Sequence, residues 1–224
     1  MRQNINPYNP GQFKKQFEST DIFQRITKDF DNICWTNNHV TQVNESTPRE
    51  STWDARPIFS LTAFYYLQPL LEKNPKVIYD LGCGWNIFKK YIPNIVGLDP
   101  DGKYADEIVS IDQEYFKNHQ NFFESAFSIN ALHYRPLRQI HSVFTEFISM
   151  IKPGGRGFIA INIRRMLDRE TIFVRTKMLQ DTKLLELYIR KQLGNLPCTC
   201  LIFDVNLTEL DEWLDGNVKL VFEK

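Results

Sequence analysis

Two apolar runs, each ending in an acid and separated by a pair of closely spaced glycines, constrain this chain more than any other feature. The first is Val77-Ile78-Tyr79-Asp80-Leu81-Gly82-Cys83-Gly84, and the second is Asn94-Ile95-Val96-Gly97-Leu98-Asp99. The order predicts a strand, a tight turn, a short helix and a second strand. Gly82 and Gly84 allow turn dihedrals that a Cβ would forbid and let a ligand lie directly on the backbone. Asp99, nineteen residues after Asp80, stands where a carboxylate can accept hydrogen bonds from both hydroxyls of a ribose. Together they read as a site for a nucleoside cofactor.

The dinucleotide fingerprint places a third glycine three residues after the second, where helix and strand pack closely, but Ile87 holds that position here. The run Asp80-Leu81-Gly82-Cys83-Gly84 instead resembles the first motif of class I S-adenosylmethionine-dependent methyltransferases. That family carries a further glycine where this chain has Asn86, a residue that tolerates left-handed dihedrals. Two later segments extend the resemblance. Ser125 to Tyr134 is similar to the family's fourth strand and following loop, and Ile151-Lys152-Pro153-Gly154-Gly155 to its turn into the fifth strand. Between them Leu137, Ile140, His141, Phe144, Ile148 and Ile151 fall at helical spacing, as a crossover between parallel strands requires.

The resemblance implies an α/β fold, a doubly wound and mostly parallel seven-stranded sheet with helices on both faces, and an enzyme that takes S-adenosylmethionine. It implies that Asp80, Gly82, Cys83 and Gly84 hold the methionine moiety and ribose edge, and that Asp99 and Pro100 hold the ribose. Asp112 would meet the adenine amino group, and Asn130 would line the site from the fourth strand. Asp112 also fits as the cap of a helix opening at Gln113, and the two roles are compatible. Cys83 reads better as a small residue at a crowded corner than as a reactive thiol.

Composition bounds the remainder. At 224 residues and 42% hydrophobic, the chain can bury one large core without disulfides or metal. Cys34, Cys83, Cys198 and Cys200 show no Cys-x-x-Cys spacing and no neighbouring His pair, so no metal site is expected. No signal pattern or span long enough for a bilayer is evident, which gives a cytoplasmic expectation with no membrane partner. The 27 basic and 27 acidic residues balance, which disfavours bulk nucleic-acid binding. Arg164, Arg165, Arg169, Arg175 and Lys177 cluster after the fifth strand, but Asp168 and Glu170 interrupt them, as on a solvated helix face.

Two regions are expected. Residues 1–74 form an N-terminal helical extension, with Phe13, Phe17, Ile22, Phe23, Ile26 and Phe30 at helical spacing and a helix from Ile58 to Leu71. Within it the polar stretch Asn32 to Arg56 is either disordered or a lid, and a lid would use Trp35, Trp53, Asp54 and Arg56 for substrate contacts. Residues 75–224 form the cofactor-binding core. Its last third predicts a helical stretch from Met166 to Leu193, broken near Asp181. Two final strands, Cys200 to Val205 and Val218 to Glu223, are joined by about a dozen residues.

The methyl acceptor is less legible. After the fourth strand Asn130 is followed by Ala131 and Leu132, without the Pro-Pro-aromatic run of amino-directed DNA methyltransferases, and no Pro-Cys nucleophile is present. His133 stands where a general base would serve, with Tyr134 beside it as a substrate contact, although a loop histidine packed on Tyr134 also fits. The leading expectation is methyl transfer to an oxygen or nitrogen of a small molecule. Transfer to a protein, glycan or nucleic acid, and a non-catalytic cofactor-binding subunit, are the alternatives.

Overall fold

A computed structural model describes residues 19–21, 24–25, 57–84, 86–132, 135–179, 181–210 and 213–224. Among these, α1 (Pro57–Glu72) leads into β1 (Ile78–Leu81). A single 3-10 turn (Ile87–Lys90) then precedes β2 (Ile95–Asp99), and β3 (Glu107–Ile108), α2 (Gln113–Asn118) and β4 (Phe123–Ile129) follow. A second 3-10 turn, Leu137–Gln139, opens α3 (Ile140–Met150). The remaining elements are β5 (Ile151–Asn162), α4 (Ile163–Leu167), α5 (Ile172–Leu179), α6 (Thr182–Gln192), β6 (Thr199–Leu210) and β7 (Trp213–Glu223).

The seven strands form one sheet in the order β3-β2-β1-β4-β5-β7-β6. Pairing is parallel from β3 through β5, and β7 runs antiparallel to both of its neighbours. Side chains alternate between two apolar layers, as the period of a strand buried on both faces demands. On β5, Phe158 and Ala160 belong to a cluster with Phe64, Leu67 and Leu70 of α1. Their neighbours Ile159 and Ile161 join Ile140, Phe144 and Phe147 of α3 and Leu185 and Ile189 of α6.

Local sequence accounts for the element ends. The turn after β1 stays at four residues because Pro93 follows closely and cannot donate into a longer helix. Asp181 caps α6, accepting the Leu184 N–H at 2.9 Å, so the expected break there is real. A second break precedes it, because Asp168 to Thr171 separate α4 from α5. The two last strands are longer than expected and leave only residues 211–212 between them. Their ladder continues through Asn206↔Asn217, Leu207↔Gly216 and Thr208↔Asp215. Polar residues and a glycine disguise this stretch as a loop, yet paired backbone groups need no apolar side chains to form a ladder.

At the amino ends of the strands, Arg156 of β5 ties α1 to the sheet. Its Nε donates to Glu223 of β7 at 2.9 Å and its Nη1 to the Pro69 carbonyl in the last turn of α1 at 2.7 Å. The carbonyl would otherwise be one of the orphan acceptors of a helix end. Losing both bonds in Arg156→Ala should cost about 2 kcal/mol. Thermal unfolding should then fall by roughly 4 to 8 °C for a domain of this size, and a shift under one degree would show that the clamp contributes nothing.

Candidate cofactor site

Strand order reverses between β1 and β4, and in open α/β sheets ligands bind outside the carboxyl ends at such a point. Three segments meet there: the glycine turn after β1, the loop after β2 and the loop after β4. Gly82, Gly84 and Asn86 all adopt positive φ, at 80°, 51° and 50°, so the asparagine does take a left-handed conformation. Gly82 is required by contact as well, since a Cβ there would lie 2.2 Å from the Ala131 Cβ of the β4 loop. Gly84 differs. A Cβ on it would meet nothing within 4 Å, so its bare backbone faces open space at the mouth of the turn.

The turn rests on β2. Gly82 and Cys83 N–H groups both donate to the Leu98 carbonyl, at 2.8 and 3.1 Å. Asp99 accepts the Gly84 N–H on Oδ2 and the Asp101 N–H on Oδ1, each at 2.9 Å. A carboxylate offers about four lone-pair positions, so Asp99 braces the turn and still retains capacity for two ribose hydroxyls. The brace on the Gly84 N–H is a role of Asp99 that sequence reasoning missed.

Asp106 was missed altogether. Its Oδ2 accepts the Gly97 N–H at 2.8 Å and the Asn86 amide at 3.0 Å, and Lys89 pairs with its Oδ1. Desolvation opposes ionisation of Asp106, but these donors outweigh it and hold the carboxyl below its usual range. Asn86 thereby links the glycine turn to the β2 loop, while its own Oδ1 is buried with no partner among the described residues. Only the crowding of acids after a strand could have signalled this brace.

Solved S-adenosylmethionine-dependent methyltransferases are similar to this chain. One from Archaeoglobus fulgidus is 13% identical, with 73% of this chain and 92% of that one aligned at a TM-score of 0.42. Another from Mesorhizobium loti is 14% identical over 71% and 98% of the two chains, at a TM-score of 0.35. An O-methyltransferase family protein from Burkholderia thailandensis is 14% identical over 76% and 60%, at a TM-score of 0.36. No family model and no curated protein matches the sequence. The assignment of the site therefore rests on this chain's own strand order and turn geometry.

The structure brings Asp80, Gly82, Cys83, Gly84 and Asp99 together, with Pro100 exposed at the bend after β2. Asn130 enters from β4, with φ 54° and its N–H on the Ala160 carbonyl at 2.8 Å. Asp112 is the α2 cap, accepting the Glu114 and Tyr115 N–H groups at 3.0 Å each. His133, Tyr134, Trp35, Trp53, Asp54 and Arg56 lie outside the described residues, as does the whole 32–56 segment. Among the described residues no group of His, Cys, Asp or Glu could hold a metal ion, and no helix is long and apolar enough to cross a membrane.

Burial sets the electrostatics. Asp80 is 2% exposed, and desolvation, then the Asp99 charge, raise its pKa well above the ordinary value. The Cys83 thiol is pushed up to about 12, first by burial and then by Asp80, Asp99 and Asp106. It stays protonated at neutral pH, which agrees with a packing role. Because folded Asp80 holds its proton to higher pH than the unfolded chain, its contribution to stability declines as pH rises from the ordinary 3.8 through the folded value. Asp80→Asn should remove that decline. Thermal melts of both proteins from about pH 4 to about pH 8 test this, and curves that stay parallel throughout would contradict the buried-acid reading.

Proposed function

We propose that the chain is an S-adenosylmethionine-dependent methyltransferase, built on a doubly wound sheet, that methylates an oxygen or nitrogen of a small-molecule acceptor. The observation that carries this reading is the glycine turn at the β1/β4 reversal, braced by Asp99 and open above Gly84. The antiparallel β7, inserted between β5 and β6, completes the mostly parallel seven-stranded sheet that the resemblance implies and so supports the reading. The residues fit a nucleoside cofactor: a backbone cradle that a side chain would fill, a carboxylate with spare acceptor capacity, and Asn86 in a left-handed conformation where the resembled motif carries its further glycine.

When bound, S-adenosylmethionine would supply a methyl group on an already activated sulfonium. The protein's work is then to align the acceptor and exclude water. Gly82 and Gly84 bring backbone against the ligand, Asp99 holds the ribose hydroxyls, and Asp112 meets the adenine amino group from the mouth of α2. Asn130 and Ala131 form the wall on the β4 side. His133, which follows the buried Leu132, is the general base in this reading and Tyr134 an acceptor contact. Trp35, Trp53 and Arg56 belong to a covering segment that contributes further acceptor contacts.

Binding of the demethylated product, S-adenosylhomocysteine, tests the reading directly. At about ten times its dissociation constant it should add roughly 1.4 kcal/mol and raise the melting temperature by about 4 °C. A shift with NAD and none with either adenosyl ligand would overturn the proposal.

Asp99→Ala should weaken S-adenosylhomocysteine by about 30- to 150-fold, the equivalent of roughly 2 to 3 kcal/mol. Part of that loss comes from releasing the Gly84 N–H, so Asp99→Asn, which keeps one acceptor oxygen, should lose less. Asp101→Ala is the control, because Asp101 meets Asp99 through its backbone N–H, which alanine retains. Equal losses at positions 99 and 101, measured by calorimetry, would show the ribose assignment to be wrong.

A further inference from the structure

The face of the sheet that carries α1 bears a polar grid at the carboxyl end of β5. Asn162, Asn217 and Asn206 are cross-strand partners on β5, β7 and β6, and one step down the same face lie Ala160, Lys219 and Asp204. Cross-strand partners point to one side. That side is fixed by Ala160 and Phe158, which pack with α1 residues. Tyr66 of α1 closes the lower wall, stacked on Phe158 at 5.4 Å, with its hydroxyl donating to Asp204 Oδ2 at 2.9 Å.

Two groups in this grid are under-used. The Lys219 ammonium lies 4.7 Å from the Tyr66 ring centroid, and among the described residues it makes no hydrogen bond or ion pair. The Asn217 Oδ1 is buried without a partner among those residues, which costs free energy, and the Asn217 Nδ2 is the atom that would donate to a ligand oxygen. Asn162 is already occupied, accepting the Arg165 N–H at 3.2 Å as the α4 cap.

We propose that Lys219, with the carboxamides of Asn217 and Asn206, forms a subsite for the carboxylate of a small monoanionic ligand. The ligand is assigned as the methyl acceptor, a step that rests on the methyltransferase reading above. A cation flanked by amide donors suits one carboxylate. Asp204, the cross-strand partner of Lys219, repels any anion, and a doubly charged phosphate ester about twice as strongly as a single carboxylate, so the carboxylate is favoured. Position agrees: β7 stands three strand spacings, about 14 Å, from the glycine turn of β1, within the span of a small molecule whose far end reaches the transferred methyl. Desolvation by the surrounding face lowers the Lys219 pKa, and Asp204 opposes this only in part. A bound carboxylate would raise it again.

The probe is acetate, with acetamide and chloride as controls at equal ionic strength, followed by NMR of the Asn side-chain amides and lysine Cε of the intact chain. Acetate should shift the Asn217 amide saturably, with half-saturation on the order of 10 mM, and should move the Lys219 titration upward. Lys219→Met should weaken acetate at least roughly tenfold while S-adenosylhomocysteine binds within about twofold of the parent. Shifts that grow linearly, that chloride or acetamide reproduce, or that persist in Lys219→Met would overturn the subsite. The wild-type titration decides even where the variant does not fold. Failure of acetate with S-adenosylhomocysteine still bound overturns the subsite alone, whereas failure of S-adenosylhomocysteine in the same sample overturns the methyltransferase reading and the acceptor assignment with it.

Discussion

The contact between Gly82 and Ala131 is the constraint on which the candidate site depends. A Cβ at position 82 would stand 2.2 Å from the Ala131 Cβ, far inside any permitted separation, so the β1 turn and the β4 loop meet only because one side of the contact is bare backbone. That approach places two loops from neighbouring parallel strands edge to edge and creates the cleft at the strand-order reversal. Gly97 does the same one strand away, where a Cβ would lie 2.7 Å from both Cys83 Sγ and the Asn86 side chain. The turn is therefore seated on its neighbours by the absence of side chains, then fastened by the N–H bonds to Leu98 and Asp99.

Three carboxylates, Asp80 on β1, Asp99 at the end of β2 and Asp106 just before β3, divide the labour according to solvent access. Asp106, largely exposed and surrounded by donors, is held as an anion and acts as a strut. Asp99, half-buried, accepts two backbone N–H groups and keeps room for more. Asp80, buried and close to the Asp99 charge, is the one whose ionisation is opposed. A cationic ligand in the cleft would lower that opposition, so the acid least stable as an anion is the one that stands to gain most from a sulfonium or an ammonium nearby.

Much of this was legible in the residues, and the exceptions have physical causes. The β1 to β2 unit, the α1 helix, the cap at Asp112 and the α3 crossover follow from apolar periodicity and side-chain chemistry that act locally. The extent of the β6/β7 hairpin did not show, because its outer half is paired through backbone groups while its side chains are polar. The Asp106 brace was hidden for a related reason: Lys89, Asn86 and Gly97 meet it from separate segments, and no spacing rule connects them. Asn86, in place of the glycine of the resembled motif, was readable as a tolerated left-handed position, but its bridge to Asp106 needed the three-dimensional arrangement. Long-range pairing between polar groups leaves little periodic trace.

The insertion of β7 between β5 and β6 bears on how the chain reaches its native state. β6 comes earlier in the sequence, yet it touches the sheet only through β7. While the chain emerges from the ribosome, the open flank of β5 has no strand to pair with until residues 213–223 arrive, and β6, with its ladder groups unsatisfied, must wait beside it. Closure of this edge is a late, non-local event of the kind that slows folding and leaves unpaired strands exposed to other chains. The Lys219 and Asn217 grid comes into being at that same late step, so any ligand that engages it would select for chains whose last hairpin has docked in register.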